Sequence, residues 1–275
     1  MKSKRVLPQW VLLWPLLIWA AMLSLPSNAV AQSSSAAQNV TRATLSNGAR
    51  VVIIRSTLAP VATVEANFLV GGNETPDGFP GMAHAQEHMA FRGCAGMNAD
   101  QTAAIYALLG GENNADTQQS ITQYFATVPA ADVNVALEAQ AACIKGIDDS
   151  QAEWDHERGA IEQEVQRDLS NPVYKFIDRL NGAMFAGTPY SHDPLGTKAS
   201  FDATTGAMLK DFYDKWYSPS NMILLVVGDV DPAATMAKIK SLFGDIPNHP
   251  LPSRPEIQIG PFASQTFSID SNLPY

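Results

Sequence analysis

The five residues His84-Ala-Gln-Glu-His88 constrain this chain more than any other stretch. Their neighbours Met82, Ala83, Ala85, Met89 and Ala90 favour helix. At about 100° per residue, His84 and His88 then stand one turn apart on a single face. Two imidazoles so placed can bind one metal ion, and zinc takes such nitrogen ligands readily. Glu87 projects beside them, near enough to act on a metal-bound water without being a ligand. The order H-x-x-E-H reverses the commoner H-E-x-x-H arrangement. A catalytic zinc site of this kind needs a third protein ligand.

Residues 1–31 carry the three-part pattern of a secretory signal peptide. Lys2, Lys4 and Arg5 make a positive start, Trp10 to Leu25 an apolar run, and Ala29-Val30-Ala31 a small-x-small cleavage site before Gln32. Pro15, Pro26 and that cleavage site argue against a retained span. The expectation is an exported chain, periplasmic in a bacterium, with no stable membrane anchor after cleavage. Removing three of the 18 basic residues leaves 15 against 27 acidic ones in residues 32–275, a net charge of −12. That balance carries no basic nucleic-acid footprint. Cys94 and Cys143, the only two cysteines, are too few for a disulfide framework. They can bridge in an oxidising compartment or sit as two small buried groups, and the sequence does not choose.

In chain order, residues 32–40 read as a flexible Ser- and Ala-rich leader. Ala43 to Ile54 read as a β-hairpin turned at Asn47-Gly48, and Pro60 to Val70 as a third strand. Pro80 opens the metal helix. Ala99 to Leu109 is expected to be helical and to end at Gly110-Gly111, followed by two β-prone runs, Asn113–Thr117 and Ser120–Val128. Helices are expected over Ala130–Ile147, Gln151–Leu169, Val173–Phe185, Thr204–Trp216 and Asp231–Phe243, with a loop over Thr188–Gly196 and a buried strand over Met222–Val227. Grouped strands, several helices and a returning strand predict an α+β fold with a mixed, mostly antiparallel sheet.

The third ligand is sought on the Glu-rich helix, which offers Glu153, Glu157, Glu162 and Glu164. Glu157 and Glu164 are seven positions apart and share a face, within about 20° of each other; Glu162 falls about 160° from Glu164. Geometry proposes Glu157 or Glu164 and leaves both open.

The thirteen residues Gly81-Met-Ala-His-Ala-Gln-Glu-His-Met-Ala-Phe-Arg-Gly93 resemble the inverted zinc motif of the pitrilysin/insulinase family of metallopeptidases, which includes the mitochondrial processing peptidases. Glu157-Arg-Gly-Ala-Ile-Glu-Gln-Glu164 is similar to the family's third-ligand helix, implying Glu164 as ligand and Glu157 as its supporting partner. Asn114-Ala-Asp-Thr with Thr122-Gln-Tyr resembles the substrate-aligning edge strand, implying that Asn114 and Ala115 hold an extended peptide by strand addition. Tyr124 reads as an ordinary sheet aromatic. Thr188 to Gly196 and Tyr217 to Asp229 resemble a Pro-Tyr…Gly loop and a late core strand. The resemblance implies one zinc ion per chain on His84, His88 and Glu164, with Glu87 as general base in the hydrolysis of a peptide substrate. It also implies a half-domain over 41–250 and a linker, or the start of a second half, over 251–275. A homologous second half or partner subunit would complete the enzyme. Cys94 departs from the Thr that relatives carry there. A non-catalytic subunit of the same fold is the alternative.

Overall fold

The computed structural model describes residues 39–94, 96–254 and 256–260, with positions 264, 266, 268, 270 and 271. The signal-like residues 1–31, most of the leader and part of the stretch after 250 lie outside the described residues. Eight strands are present among them: β1 (Val40–Thr44), β2 (Arg50–Arg55), β3 (Val61–Phe68), β4 (Gly93–Cys94), β5 (Met97–Asn98), β6 (Glu112–Thr117), β7 (Thr122–Pro129) and β8 (Met222–Gly228). The helices are α1 (Met82–Met89), α2 (Ala99–Leu109), α3 (Val133–Lys145), α4 (Gln151–Leu169), α5 (Pro172–Met184), α6 (Lys198–Ala203), α7 (Gly206–Trp216) and α8 (Pro232–Phe243).

Six strands form one sheet in the order β1-β2-β8-β3-β7-β6. Only β2 and β8 run parallel; the other neighbours are antiparallel. Side chains alternate across a strand, so Val51 and Ile53, then Ala62, Val64, Ala66 and Phe68, then Tyr124, Ala126 and Val128, and then Met222, Leu224 and Val226 bury one common face. The helices cover that face. The opposite face is polar in part: Thr63 and Thr127 share a hydroxyl hydrogen bond of 2.9 Å, and Gln123 donates to Glu65 and Asn67. This is the α+β architecture the sequence predicts, and it leaves β6 as an edge.

Three local expectations need correction. The helix that carries His84 and His88 starts at Met82, with Gly81 rather than Pro80 beside its first turn, because Gly81 takes a left-handed φ of +87° there. The helix expected over Thr204–Trp216 starts later, and a separate short helix, α6, precedes it. Thr197 caps α6 and Thr205 caps α7, each accepting from a backbone N–H three residues on; two strong caps this close force a break. The helix expected from Ala130 begins at Val133 after a 3-10 turn. The β4–β5 hairpin is too short to show in the sequence.

Helix α4 is polar on most of its surface, yet Trp154, Ile161 and Val165 are buried. Trp154 is fully buried and its Nε1 donates to Thr204 O at 2.8 Å. Burying a large side chain contributes about 1.5–3 kcal/mol. That stripe turns the Glu157 and Glu164 face toward α1. Cys94 on β4 and Cys143 on α3 form a disulfide with Cα atoms 4.6 Å apart, which decides between the two readings left open.

Candidate metal centre

Helix α1 has a buried histidine, His84, and a partly buried one, His88, one turn apart. Their rings meet edge to face, with Nε2 atoms 3.1 Å apart. Helix α4 brings Glu164 Oε2 to 3.4 Å from His88 Nε2 and 3.9 Å from His84 Nε2. Among the described residues these three are the group of His, Cys, Asp or Glu side chains whose ligand atoms converge, all within 4.8 Å.

The other side of each imidazole decides what the Nε2 atoms can do. His84 Nδ1 lies 3.0 Å from Leu195 O, and His88 Nδ1 lies 2.9 Å from Glu157 Oε1. A carbonyl and a carboxylate only accept, so both Nδ1 atoms carry the proton and each neutral ring turns a bare Nε2 inward. Two nitrogen lone pairs and a carboxylate oxygen therefore point at one another. Three such acceptors repel unless a proton on one Nε2 or a metal cation lies between them. Ligand atoms on a tetrahedral zinc, with bonds of about 2.0–2.1 Å, stand about 3.3 Å apart, close to the separations here. The donor set fits zinc.

Each of the three converging side chains is held from behind. Glu164 accepts from Arg167 on its other oxygen at 2.9 Å. Glu157 is bound to His88 rather than to Glu164, and Arg92, just past α1, pairs with Glu153 at 2.8 Å and Glu157 at 3.6 Å. The His88 bond holds the Glu157 carboxyl below its ordinary range against its partial burial. Burial works against a charge on His88, but Glu157, Glu87 and Glu164 together raise its pKa; burial and the charge of His88 lower that of His84. The contrast suits two rings too close to be protonated together.

Glu87 is buried beside the histidines and is not one of the converging three. Thr117 of β6 donates to its Oε2 at 2.5 Å. Burial pushes the Glu87 carboxyl up to about 7, the Thr117 bond opposing. A carboxyl in that range can exchange a proton near neutral pH. Sequence reasoning missed Thr117 and Leu195 as the groups that hold Glu87 and His84, although both fall inside stretches it quoted. Only contact across the fold gives them those partners.

Asn114 and Ala115 lie on edge strand β6, which pairs with β7 on one side only. Asn114 is exposed, and its Oδ1 accepts from Ala115 N at 2.9 Å. The edge amide of Ala115 is thus held by its own neighbour. Tyr124 packs edge-on against Phe68, ring centroids 6.3 Å apart, as a sheet aromatic does. It also lines a small cavity of about 40 Å³ with Ala90, Phe91, Tyr106 and Asn114, between the end of α1 and the β6 edge.

Residues 50–198, more than half of the chain, match the family described as Insulinase (Peptidase family M16). The chain belongs to this family. Residues 204–271 match the description Peptidase M16 inactive domain. Zinc protease PqqE of Helicobacter pylori is 28% identical over 207 residues, 74% of this chain and 47% of its own length. A probable mitochondrial-processing peptidase subunit beta of Arabidopsis thaliana is 27% identical over 234 residues, 84% of this chain and 44% of its own. The crystal structure of a protease from Helicobacter pylori superposes with a TM-score of 0.75 at 27% identity, over 80% of this chain and 53% of that one. The first half of the periplasmic protease PqqL from Escherichia coli shares the fold, with a TM-score of 0.74 at 23% identity over 81% and 49%. The insulinase-family chain spans about half the length of the curated relatives it matches.

Proposed function

We propose that this chain is the zinc-binding half of a metalloendopeptidase that hydrolyses peptides or small proteins. The observation that carries the reading is the convergence of two bare Nε2 atoms and one carboxylate oxygen, with a second, buried carboxylate alongside. His84, His88 and Glu164 would hold one zinc ion, and Glu157 would orient His88. Zinc, when bound, supplies a Lewis acid that makes water nucleophilic near neutral pH and polarises a peptide carbonyl. Glu87 takes the proton of the attacking water and returns it to the leaving amine. Thr117 holds the Glu87 carboxylate in place for that transfer. An extended substrate adds to the β6 edge through Asn114 and Ala115, displacing the Asn114 side chain from the Ala115 amide.

The domain reading follows: residues 41–250 as the zinc-binding half, 251–275 as a linker or the start of a second half. A homologous second half or partner subunit completes the enzyme, supported by the length of the relatives. Export, periplasmic in a bacterium, rests on the pattern of residues 1–31. The rival is a non-catalytic subunit of the same fold, favoured by the match of residues 204–271 to an inactive domain. The intact His84, Glu87 and His88 weigh against it.

Metal analysis and a peptidase assay on single variants test the reading. His84→Ala, His88→Ala and Glu164→Gln are expected to lose most bound zinc. Glu87→Gln should keep zinc while activity falls about 10²–10⁴-fold. Glu157→Gln should bind zinc about 10–100-fold more weakly, the range seen for partners of metal-bound histidines. Full zinc in Glu164→Gln would remove that ligand from the assignment.

A further inference from the structure

On the side of α1 turned away from His84 and His88, the fully buried Gln86 donates from Nε2 to Asp149 Oδ1 at 2.9 Å. Asp149 lies between α3 and α4, next to Ser150, which caps α4. Its surroundings are tightly set. Asp148 N donates to Gly93 O at 3.0 Å, and a Cβ on Gly206 would meet Asp149 O at 2.4 Å, so α7 begins against this turn. The single Gln86 bond thus ties the metal helix to the head of the helix that carries Glu157 and Glu164.

The remaining polar atoms of the pair are unsatisfied. Gln86 Oε1 and Asp149 Oδ2 are both buried and lack a partner among the described residues. With Asp149 ionised, both are acceptors, and a buried polar group left unpaired costs the full desolvation penalty of that group. One proton on the carboxyl turns Oδ2 into a donor, and an acid and an amide can then share two hydrogen bonds.

We propose that Asp149 is a positioning residue held as the neutral acid, donating its Oδ2 proton to Gln86 Oε1 and so locking the metal helix to the head of α4. Burial pushes the Asp149 carboxyl up to about 6. The charged and titratable groups that face it are Lys210, Tyr213 and Asp214 of α7, Tyr217 just after it, and Asp148 in its own turn. Lys210, the cation among them, is held by Asp214 at 2.5 Å. A carboxyl whose folded pKa is raised contributes its full stability below the unfolded value of about 3.8 and loses it as the pH rises through about 6. The lock is therefore made in mild acid and opens towards neutrality.

The test uses the zinc-loaded full chain with ¹³C-labelled aspartate. The Asp149 carboxyl resonance, assigned through its backbone, should titrate with a midpoint of about 6; a midpoint in the ordinary carboxylate range overturns the proposal. Asp149→Asn supplies both hydrogen bonds without a proton. Zinc competition should find wild type and this variant equal at about pH 5 and wild type weaker by about threefold to tenfold above about pH 7, the range one hydrogen bond supplies. A ratio that does not change with pH overturns the positioning role. Where Asp149→Asn does not fold, Gln86→Met takes its place; wild type should approach it as the pH rises. The zinc readout rests on the ligand assignment proposed above. Should no form bind zinc, that assignment fails, and thermal unfolding decides the lock: wild type must fall below Asp149→Asn over the same pH window, and parallel curves overturn it.

Discussion

At the scale of single residues, the placement of His84 depends on groups outside the converging trio. Gly81, beside the first turn of α1, and Gly196, next to the Leu195 carbonyl that holds His84, both have φ of +87°. They face each other so closely that a Cβ on Gly196 would meet Gly81 Cα at 2.6 Å. Gly196→Ala therefore adds the left-handed penalty of about 1–2 kcal/mol to a backbone clash that no side-chain rotation relieves. The expected outcome is a loss of at least about 2 kcal/mol in denaturant unfolding, together with weaker zinc binding as Leu195 O shifts away from His84. Unchanged zinc affinity in a destabilised Gly196→Ala would separate the loop from the ligand it is argued to orient.

Among elements, the relation between α1 and α4 matters most. Hydrophobic burial at Trp154, Ile161 and Val165 sets the rotation of α4, while Arg92 and the Gln86–Asp149 bond set its position along α1. The Cys94–Cys143 disulfide clasps the neighbouring β4 and α3 across a sequence separation of 49. Closing a loop of that length stabilises by about 4 kcal/mol in the chain-entropy model, with measured losses of about 2–5 kcal/mol on removal. Replacing both cysteines with serine should lower unfolding stability by that amount. Thiol titration of the unfolded, unreduced wild type should find no free thiol, and two free thiols would show that the pair does not form in the purified protein.

For the whole molecule, the decisive fact is length: the match takes up only 47% and 44% of two relatives' own chains. The β6 edge and the Glu164 side chain, about a third exposed, face outward without cover from the described residues of this chain. A second half would exclude water there and hold the substrate against the site, effects worth several kcal/mol of barrier. Residues 32–275 alone are thus expected to bind zinc yet turn over a mixed peptide library weakly, with activity rising by at least about tenfold when a homologous second half is added. Full turnover by a proven monomer, unchanged by that addition, would remove the need for a second half.

Much of this was legible in the chain itself. Asn47-Gly48 marked the first hairpin, alternation marked β3, Gly110-Gly111 and Asn171-Pro172 marked the ends of α2 and α4, and the spacing of His84, Glu87 and His88 placed them around one helix turn, because all of these are local consequences of turn chemistry and backbone period. Strands β4 and β5 and helix α6 were too short to leave such a signal. The choice between Glu157 and Glu164 was not local, and only the docked helix shows Glu157 against His88 Nδ1 and Glu164 against the Nε2 pair. The same holds for Thr117, Leu195 and Asp149, whose partners lie 30, 111 and 63 positions away. A sequence lists which side chains can donate, accept or bind a metal. Burial then decides which of them meet with no water between them, and that is settled only when the helices close over the sheet.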